Sequence, residues 1–204
     1  QGDYYDINLN YTLNYDKRNQ RYQPSDGFQN TFYQELPLLS NNYEIVNSLT
    51  SSKYQTLVSD MVGKISYYGK AVNSLKDEDV RISKRLYIPV TRLRGFEKGK
   101  VGPIDNGDYI GGNYVSTINL STTLPNALPS FQNLDFSLFF DVANVWGVDY
   151  DSSIDESGKL RSATGIALDI FTPIGPLSFS LAAPLSQAPG DKTETFRFNL
   201  GTTF

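Results

Sequence analysis

Residues 5–15 read YDINLNYTLNY, and this stretch decides the fold because apolar and polar side chains alternate along all of it. The odd positions carry tyrosine, isoleucine or leucine, and the even positions carry aspartate, asparagine or threonine. Successive side chains of a β-strand point to opposite faces, so this period of two predicts a strand with one apolar and one polar face. The run is about twice as long as an average strand of a soluble protein.

The same period of two returns along the rest of the chain. It is clearest in LDFSLFFDV (134–142) and FRFNLGTTF (196–204), and it is weaker between residues 27 and 73. No segment predicts a convincing helix, so we predict an all-β protein. The predicted strands are 5–15, 27–38, 43–57, 61–73, 114–121, 134–142, 166–170, 177–183 and 196–204.

The composition excludes several classes of function. The 204 residues include no cysteine and no histidine, which excludes disulfides, thiolate metal sites and catalytic groups that use histidine within this chain. The net charge of −4 argues against a nucleic-acid partner. The chain has no apolar run long enough for a transmembrane helix. Carboxylate or Ser-Lys chemistry stays open, but we expect a protein that is not an enzyme and binds no cofactor or metal.

Two environments explain strands with one apolar and one polar face. In a soluble sandwich the apolar face forms the core, whereas in a membrane barrel it meets lipid and the polar face lines the lumen. Strands of about 9–11 residues match a tilted crossing of the bilayer. Aromatic residues near strand ends, such as Tyr15, Tyr114 and Trp146, are typical of a membrane interface. We therefore predict a transmembrane, antiparallel, up-and-down β-barrel, with the soluble sandwich as the alternative.

The segment 74–112, which we call the lid loop, is the longest stretch without a predicted strand. A loop of this length is usually functional or disordered. Around Arg94 the sequence allows either a solvated surface loop or a loop folded into a polar lumen and anchored there by the arginine. A buried arginine needs a carboxylate partner. Asp141 lies on the polar face of its predicted strand and is the best candidate, with Asp135 and Asp169 as alternatives.

Motifs along the chain carry a resemblance to a known family. They are LRGF (93–96), GPID (102–105), GGNY (111–114), LFFDVANVW (138–146), the segments 161–185 and 190–204, and the turn 15–28. Together and in this order they resemble the BamA family of outer-membrane β-barrel assembly proteins. The resemblance covers essentially the whole chain and is strongest from about residue 90 to residue 204.

The resemblance implies that residues 1–204 are the C-terminal part of one outer-membrane β-barrel domain. The complete barrel would have about 16 strands, with its N-terminal strands and periplasmic POTRA domains outside this sequence. The chain begins without Met, which we interpret as a processed product or a piece of a longer protein. The lid loop and the segment 147–160 would be extracellular, and the turns 57–60 and 172–176 would be periplasmic.

The resemblance also implies a set of site residues. The carboxylate that pairs with the lid arginine in the family falls on Asp141, in agreement with the partner expected from face alternation. Relatives commonly carry a glutamate as a second partner, and here that position is Asn119, a neutral hydrogen-bond acceptor, which we expect to loosen the anchor. The lid motif falls on Leu93, Arg94, Gly95 and Phe96.

The function that the resemblance implies is the folding and insertion of other β-barrel proteins into the outer membrane of a Gram-negative bacterium. Insertion would proceed through a lateral seam between the first and last strands, because an incoming strand needs an edge to pair with in hydrocarbon. The implied partners are unfolded outer-membrane proteins as clients, outer-membrane lipid and accessory assembly lipoproteins. The residues implied for the seam strand are Phe196, Phe198, Leu200, Gly201 and Phe204.

Alternative functions stay open. One is a secretion transporter of the same superfamily, either a two-partner exporter or a translocation-assembly barrel, and another is a passive pore. The carboxylates Asp149, Asp151, Asp155 and Glu156 could hold a divalent cation, although solvated carboxylates on an outer loop are commoner. An edge strand exposes unpaired backbone N–H and C=O groups that can pair with another chain, so we also expect this segment alone to self-associate through its open edges.

Overall fold

The structure is a computed structural model that describes residues 5–58, 60–76, 78–124, 134–172 and 175–200. Its main element is an antiparallel sheet of nine strands, which confirms the all-β prediction. A second, two-stranded sheet lies within the lid loop. The strands are β1 (Asp6–Asp16), β2 (Gly27–Ser40), β3 (Glu44–Thr56), β4 (Val62–Ser74), β5 (Ile104–Asp105), β6 (Asp108–Tyr109), β7 (Tyr114–Thr123), β8 (Leu134–Trp146), β9 (Arg161–Thr172), β10 (Gly175–Ser186) and β11 (Phe196–Leu200).

Strands that are neighbours in the sequence are also neighbours in the large sheet. Its order is β1-β2-β3-β4-β7-β8-β9-β10-β11, and β1 and β11 are its two edges within the described residues. Because every pair is antiparallel, alternate connections lie at the same end of the sheet. The lid loop, the segment 147–160 and the segment 187–195 therefore share one end, which we call the loop end.

The sequence pattern placed all nine strands of the large sheet but missed some bounds. β9 begins at Arg161 instead of 166, because residues 161–165 are mostly small or polar and show no apolar alternation. The hairpin of β5 and β6 was also missed, since two residues are too few to show a period. Two short 3₁₀ helices occur at Ile82–Lys84 and Ser152–Ile154. Within the described ranges, no helix has the length and apolar character needed to cross a membrane.

The apolar face of the sheet is the exposed one. Ile118 on β7 and Leu138 and Phe140 on β8 are exposed, whereas Thr117 and Asp141 on the opposite face are buried. A soluble sandwich would bury the apolar face and hydrate the polar one. The observed arrangement is the reverse and matches the wall of a membrane barrel, whose outer face meets lipid.

Aromatic pairs lie near both ends of the sheet, as expected for residues at a membrane interface. At the loop end, the ring centroids of Tyr114 and Trp146 are 5.7 Å apart. At the opposite end, those of Tyr15 and Phe28 are 5.6 Å apart. Each pair joins adjacent strands, so these contacts also support the register.

The hydrophobic core lies between the polar face of the sheet and the lid loop. Leu93 and Phe96 of the lid loop belong to the same buried cluster as Val72, Val115 and Val145 of the wall. Complete burial of one such side chain stabilises the fold by about 1.5–3 kcal/mol. The lid loop is therefore a packed part of the structure, seated against the face that also carries the buried polar groups.

Candidate functional site

A bidentate ion pair joins the lid loop to the middle of the wall. The Nε of Arg94 donates to Oδ2 of Asp141 at 2.8 Å, and its Nη2 donates to Oδ1 at 2.8 Å. The backbone N–H of Arg94 also donates to Oδ2 at 3.1 Å. Asp141 is fully buried at 0% exposure. Such a fork of charge-assisted hydrogen bonds fixes both the position and the orientation of the arginine.

An aromatic ring supports the same arginine. The guanidinium carbon of Arg94 lies 3.5 Å from the centroid of the Phe139 ring. Phe139 and Asp141 are two residues apart on β8, so both point from the same face of the sheet. The ring gives a cation–π contact on one side of the guanidinium while the carboxylate binds its edge. The sequence analysis did not assign Phe139 to the site, although a large aromatic residue on an otherwise polar face was a usable signal.

Asn119 lies directly opposite Asp141 in the pairing of β7 with β8. Its Nδ2 donates to Oδ1 of Asp141 at 2.9 Å and to the backbone oxygen of Arg92 at 2.7 Å. Asn119, which was expected to accept a hydrogen bond from Arg94, accepts one from Nη1 of Arg92 at 3.5 Å. Its amide N–H groups donate to the carboxylate of Asp141 and to the lid backbone. The amide therefore supplies a hydrogen bond to the buried carboxylate of Asp141 and holds the lid backbone at Arg92, the residue before the LRGF motif.

The two alternative carboxylates lie elsewhere. Asp135 accepts a hydrogen bond from Nε2 of Gln23 at 2.9 Å. Asp169 accepts a hydrogen bond from the hydroxyl of Ser178. Among the three candidate carboxylates, the ion pair of Arg94 is therefore with Asp141.

Arg92 is a second lid arginine that the sequence analysis did not single out. Its Nη1 donates to the hydroxyl of Ser66 at 2.8 Å, and its guanidinium lies 5.5 Å from the ring centroid of Tyr68. Burial lowers the pKa of Arg92 from its ordinary value, because its contacts are mostly with neutral groups. Both guanidinium groups lie over an aromatic ring, but their hydrogen-bond partners differ. Arg94 binds a carboxylate, whereas Arg92 binds the hydroxyl of Ser66 and the amide oxygen of Asn119.

The other residues of the predicted lid motif pack against the wall of the sheet. Leu93 and Phe96 are buried in the cluster between lid and wall. Gly95 has a φ of +88°, and a Cβ placed there would lie 3.1 Å from Cβ of Ala163 and 3.2 Å from Cβ of Ala182. The turn therefore combines a backbone conformation that favours glycine with a close approach to β9 and β10.

A second buried ion pair holds the lid loop near the loop end. The Nε of Arg161 on β9 donates to Oδ2 of Asp191 at 2.9 Å, and its Nη2 donates to Oδ1 at 3.1 Å. Arg161 is 0% exposed and also binds Asn144 and the carboxylate of Glu156. Asp191 in turn accepts a hydrogen bond from the backbone N–H of Gly102 in the lid loop at 3.3 Å. The sequence analysis missed this cluster.

The segment before β11 forms a short ribbon with the lid loop. The N–H of Glu97 donates to the oxygen of Lys192 at 2.9 Å, and the N–H of Glu194 donates to the oxygen of Gly95 at 3.1 Å. Phe96 and Thr193 face each other as an antiparallel bridge between these two bonds. The backbone of the LRGF motif is thus paired with the residues that lead into β11.

The residues implied for the seam occur on and after β11. Phe196, Phe198 and Leu200 are exposed on the apolar face of the sheet. Within the described residues, β11 pairs with β10 over five residues, from Leu177↔Leu200 to Leu181↔Phe196. Gly201 and Phe204 lie outside the described residues.

The four acidic residues of the segment 147–160 have separate partners. Asp149 accepts hydrogen bonds from the N–H of Val80 and from Asn113, while Asp155 accepts one from the N–H of Gly147. Within the part of the chain that the structure describes, no group of acidic side chains is arranged to hold a metal ion. The remaining two carboxylates belong to Glu156, which pairs with Arg161, and Asp151, whose pKa is lowered by hydrogen bonds from Ser153.

Comparisons with known proteins agree on one family. The model of the Omp85 superfamily domain matches residues 1–204. The outer membrane protein assembly factor BamA of Neorickettsia risticii is 24% identical over 201 residues, which cover 96% of this chain and 27% of that protein. The outer membrane protein assembly factor BamA of Neisseria meningitidis is 30% identical over 139 residues, which cover 55% of this chain and 17% of that protein.

A solved structure has the same fold. The crystal structure of BamA from Haemophilus ducreyi lacking POTRA domains 1–3 superposes with a TM-score of 0.84 at 29% identity. The match covers 94% of this chain and 41% of that chain. The chain thus spans less than a third of the length of either curated relative and less than half of the solved structure.

Proposed function

Because the chain belongs to the Omp85 superfamily, we propose that it is the C-terminal part of an outer-membrane assembly factor that folds and inserts β-barrel proteins. The support is the naming of its relatives as outer membrane protein assembly factors and the exposed apolar face of its sheet. The clients are unfolded outer-membrane proteins, and the site of action is the outer membrane of a Gram-negative bacterium. Accessory assembly lipoproteins are further partners in this proposal.

The proposal includes the domain organisation. The nine strands form the C-terminal part of a barrel of about 16 strands, and POTRA domains and further strands precede them. The support is the share of the relatives that the chain matches, which is 27% of one assembly factor and 41% of one solved chain.

Insertion follows from the physical needs of a strand in lipid. An unpaired strand exposes N–H and C=O groups, and each costs several kcal/mol in hydrocarbon unless it finds a partner. An edge strand of the assembly factor can supply those partners temporarily. In this proposal β11 is the edge that a client strand meets, and it acts by hydrogen bonding, without covalent chemistry.

The single observation that carries the proposal is the lid loop bound to the polar face by Arg94 and Asp141. A passive pore needs an open polar face, and a folded loop with a buried ion pair would obstruct it. A device that changes conformation needs a lid held by a few specific contacts. We therefore propose that Arg94 and Asp141 hold the lid in its closed state. Leu93, Gly95 and Phe96 pack the lid against the wall in that state.

The test is insertion of a client β-barrel into liposomes that contain the complete protein or its Arg94→Ala variant. Loss of the arginine leaves the buried carboxylate of Asp141 without its charge partner, which costs about 3–5 kcal/mol. We expect the insertion rate to fall by about tenfold or more. A tenfold change corresponds to about 1.4 kcal/mol, which is smaller than the free energy lost with the ion pair. The matched control is Arg21→Ala, which removes an exposed arginine from the turn between β1 and β2.

Each outcome of this assay has a clear meaning. A reduced rate for Arg94→Ala, with Arg21→Ala at the wild-type rate, supports an assembly factor whose lid takes part in its cycle. Equal rates for all three proteins, above those of empty liposomes, would keep the assembly function and remove the anchor from it. If the wild-type protein gave no acceleration, the exporter or pore would replace the proposed function.

A further inference from the structure

Arg197 is a buried arginine on the polar face of β11. It is 7% exposed, although its strand lies at an edge of the sheet within the described residues. Its Nη1 donates to the backbone oxygen of Val90 at 2.7 Å, and its Nη2 donates to the backbone oxygen of Phe96. Its Nε and Nη2 also donate to the carboxylate of Glu194, at 3.0 and 2.7 Å.

One of the two carbonyls belongs to Val90, three residues before the LRGF motif, and the other belongs to Phe96, the last residue of the motif. One guanidinium therefore binds the chain where it enters the turn and where it leaves it. An arginine has five N–H donors in a fixed plane, which allows it to bind two carbonyls and a carboxylate together. Glu194 balances the charge, because burial of an isolated cation would be unfavourable.

A second set of contacts joins the same two regions. The ribbon of residues 95–97 with 192–194 continues directly into β11 through Thr195. The N–H of Lys192 also donates to the oxygen of Lys100 at 3.0 Å. The LRGF turn is therefore bound to the last described strand by backbone pairing and by the side chain of Arg197.

We propose that Arg197 is a positioning residue that couples the LRGF turn of the lid loop to β11, so that the two are ordered or released together. Within the described residues β11 pairs with β10 alone, whereas β8 pairs with both β7 and β9. A strand paired on one side frays more easily than one paired on both, and contacts on its polar face raise the free energy of fraying. Release of the lid would remove those contacts and free the strand. The relevance of this coupling to insertion rests on the function proposed above.

The test is hydrogen exchange of the complete protein in lipid nanodiscs, followed on peptides covering 93–100 and 190–200. The first variant is Arg197→Gln, which removes the charge and the fork but keeps one polar donor. Hydrogen bonds that involve a charged group are strong enough for roughly a tenfold change in an equilibrium. We expect exchange to become about tenfold faster in both peptides together.

Phe198→Ala on the same strand tests the coupling from the other side. Phe198 is exposed on the apolar face, where its ring lies 5.0 Å from that of Phe179, so its removal weakens the pairing of β11 with β10. Because a coupling free energy is reciprocal, we expect faster exchange in both 190–200 and 93–100. When Phe198→Ala is combined with Arg197→Gln, the additional increase in 93–100 should be much smaller than the increase that Phe198→Ala causes alone. Unchanged exchange of the lid peptide in Phe198→Ala, or the same increase with and without Arg197, would overturn the proposal.

Arg197→Lys keeps the test independent of the folding of the first variant. Lysine retains the charge beside Glu194 but cannot bind both carbonyls in one plane. We expect an intermediate increase in exchange in both peptides. Wild-type exchange in the lid peptide of the lysine variant would overturn the coupling by the fork. Exchange is measured without a client, so a failed insertion assay would contradict the proposed function and leave this result readable.

Discussion

Two of the buried ion pairs that hold the lid loop are built in opposite ways. In the first, the arginine belongs to the lid and the carboxylate belongs to the wall, as Arg94 and Asp141. In the second, the arginine belongs to the wall and the carboxylate belongs to a loop, as Arg161 and Asp191. In the first pair the lid contributes the arginine side chain itself. The second reaches it through the N–H of Gly102, so its attachment to the lid is backbone-mediated.

The difference matters because the two pairs are attached to different parts of the sheet. Asp141 lies on β8, which is paired on both sides over ten residues each. Asp191 lies in the segment that leads to β11, an edge of the described sheet. The lid therefore connects a strand with two neighbours to a strand that has one neighbour within the described residues. We infer that release of the lid changes β11 far more than β8.

The largest expected effect is that of Arg161→Met. Arg161 is fully buried and has two carboxylate partners, so its removal leaves Asp191 and Glu156 without their charge partner. The expected loss is about 3–5 kcal/mol in the free energy of unfolding. Urea titration of the complete protein in lipid vesicles measures it.

The control for Arg161 is Arg18→Met in the turn after β1. Arg18 forms an ion pair with Asp16 that is partly exposed and screened by solvent, so its loss should cost far less than the loss of Arg161. Similar losses for the two variants would show that burial does not distinguish these pairs, and the comparison between the two anchors would lose its energetic basis.

Asp141→Asn is expected to have a somewhat smaller effect, confined to the lid. The amide keeps the shape and one acceptor oxygen but removes the charge that faces Arg94. We expect the closed lid to lose about 2–3 kcal/mol. Cleavage by trypsin after Arg92, followed by mass spectrometry, measures this loss, because Arg92 lies beside the buried Leu93 and the protease reaches it only when the loop leaves the wall.

The matched control is Asp135→Asn on the same strand and the same face. Asp135 contacts Gln23 instead of a lid arginine, so its variant should be cleaved at the wild-type rate. Faster cleavage in both variants would mean that any lost charge on β8 loosens the lid. The specific role of the Arg94 pair would then be wrong.

The contrast between the two anchors also explains what the sequence could predict. Asp141 lies in a strand with a clear period of two, so the sequence predicts which face of the sheet carries its side chain. Asp191 lies in APGD (188–191), where no period exists and the direction of a side chain cannot be read. Its partner Arg161 lies before the part of β9 whose alternation was recognised.

Contacts to backbone atoms set a further limit. Arg197 alternates with phenylalanines on β11, so its place on the polar face was readable. Its acceptors are the carbonyls of Val90 and Phe96, and every residue has a carbonyl, so the sequence gives no sign of which one is chosen. Likewise the role of Asn119 as a donor depends on its register with Asp141, which only the paired strands define.

The smallest expected effect is that of Gly102→Ala, and it separates the two anchors. Gly102 has a φ of +111°, and a Cβ there would lie 2.4 Å from Cγ1 of Val145. The added methyl should push this part of the lid away from the wall and from Asp191, at a cost of about 1–3 kcal/mol. The pair of Arg94 with Asp141 is not touched by it. We therefore expect faster hydrogen exchange in a peptide covering 98–106 and wild-type exchange in one covering 88–94.

Gly99→Ala is the control, since its φ is +67° and a Cβ there has no neighbour within 4 Å. Its cost should be that of the backbone conformation alone, about 1 kcal/mol. A larger effect of Gly102→Ala than of Gly99→Ala would show that close packing on Val145 holds the lid at the second anchor. If exchange also rose around Arg94, the two anchors would act as one cooperative unit, and their independence would have to be given up.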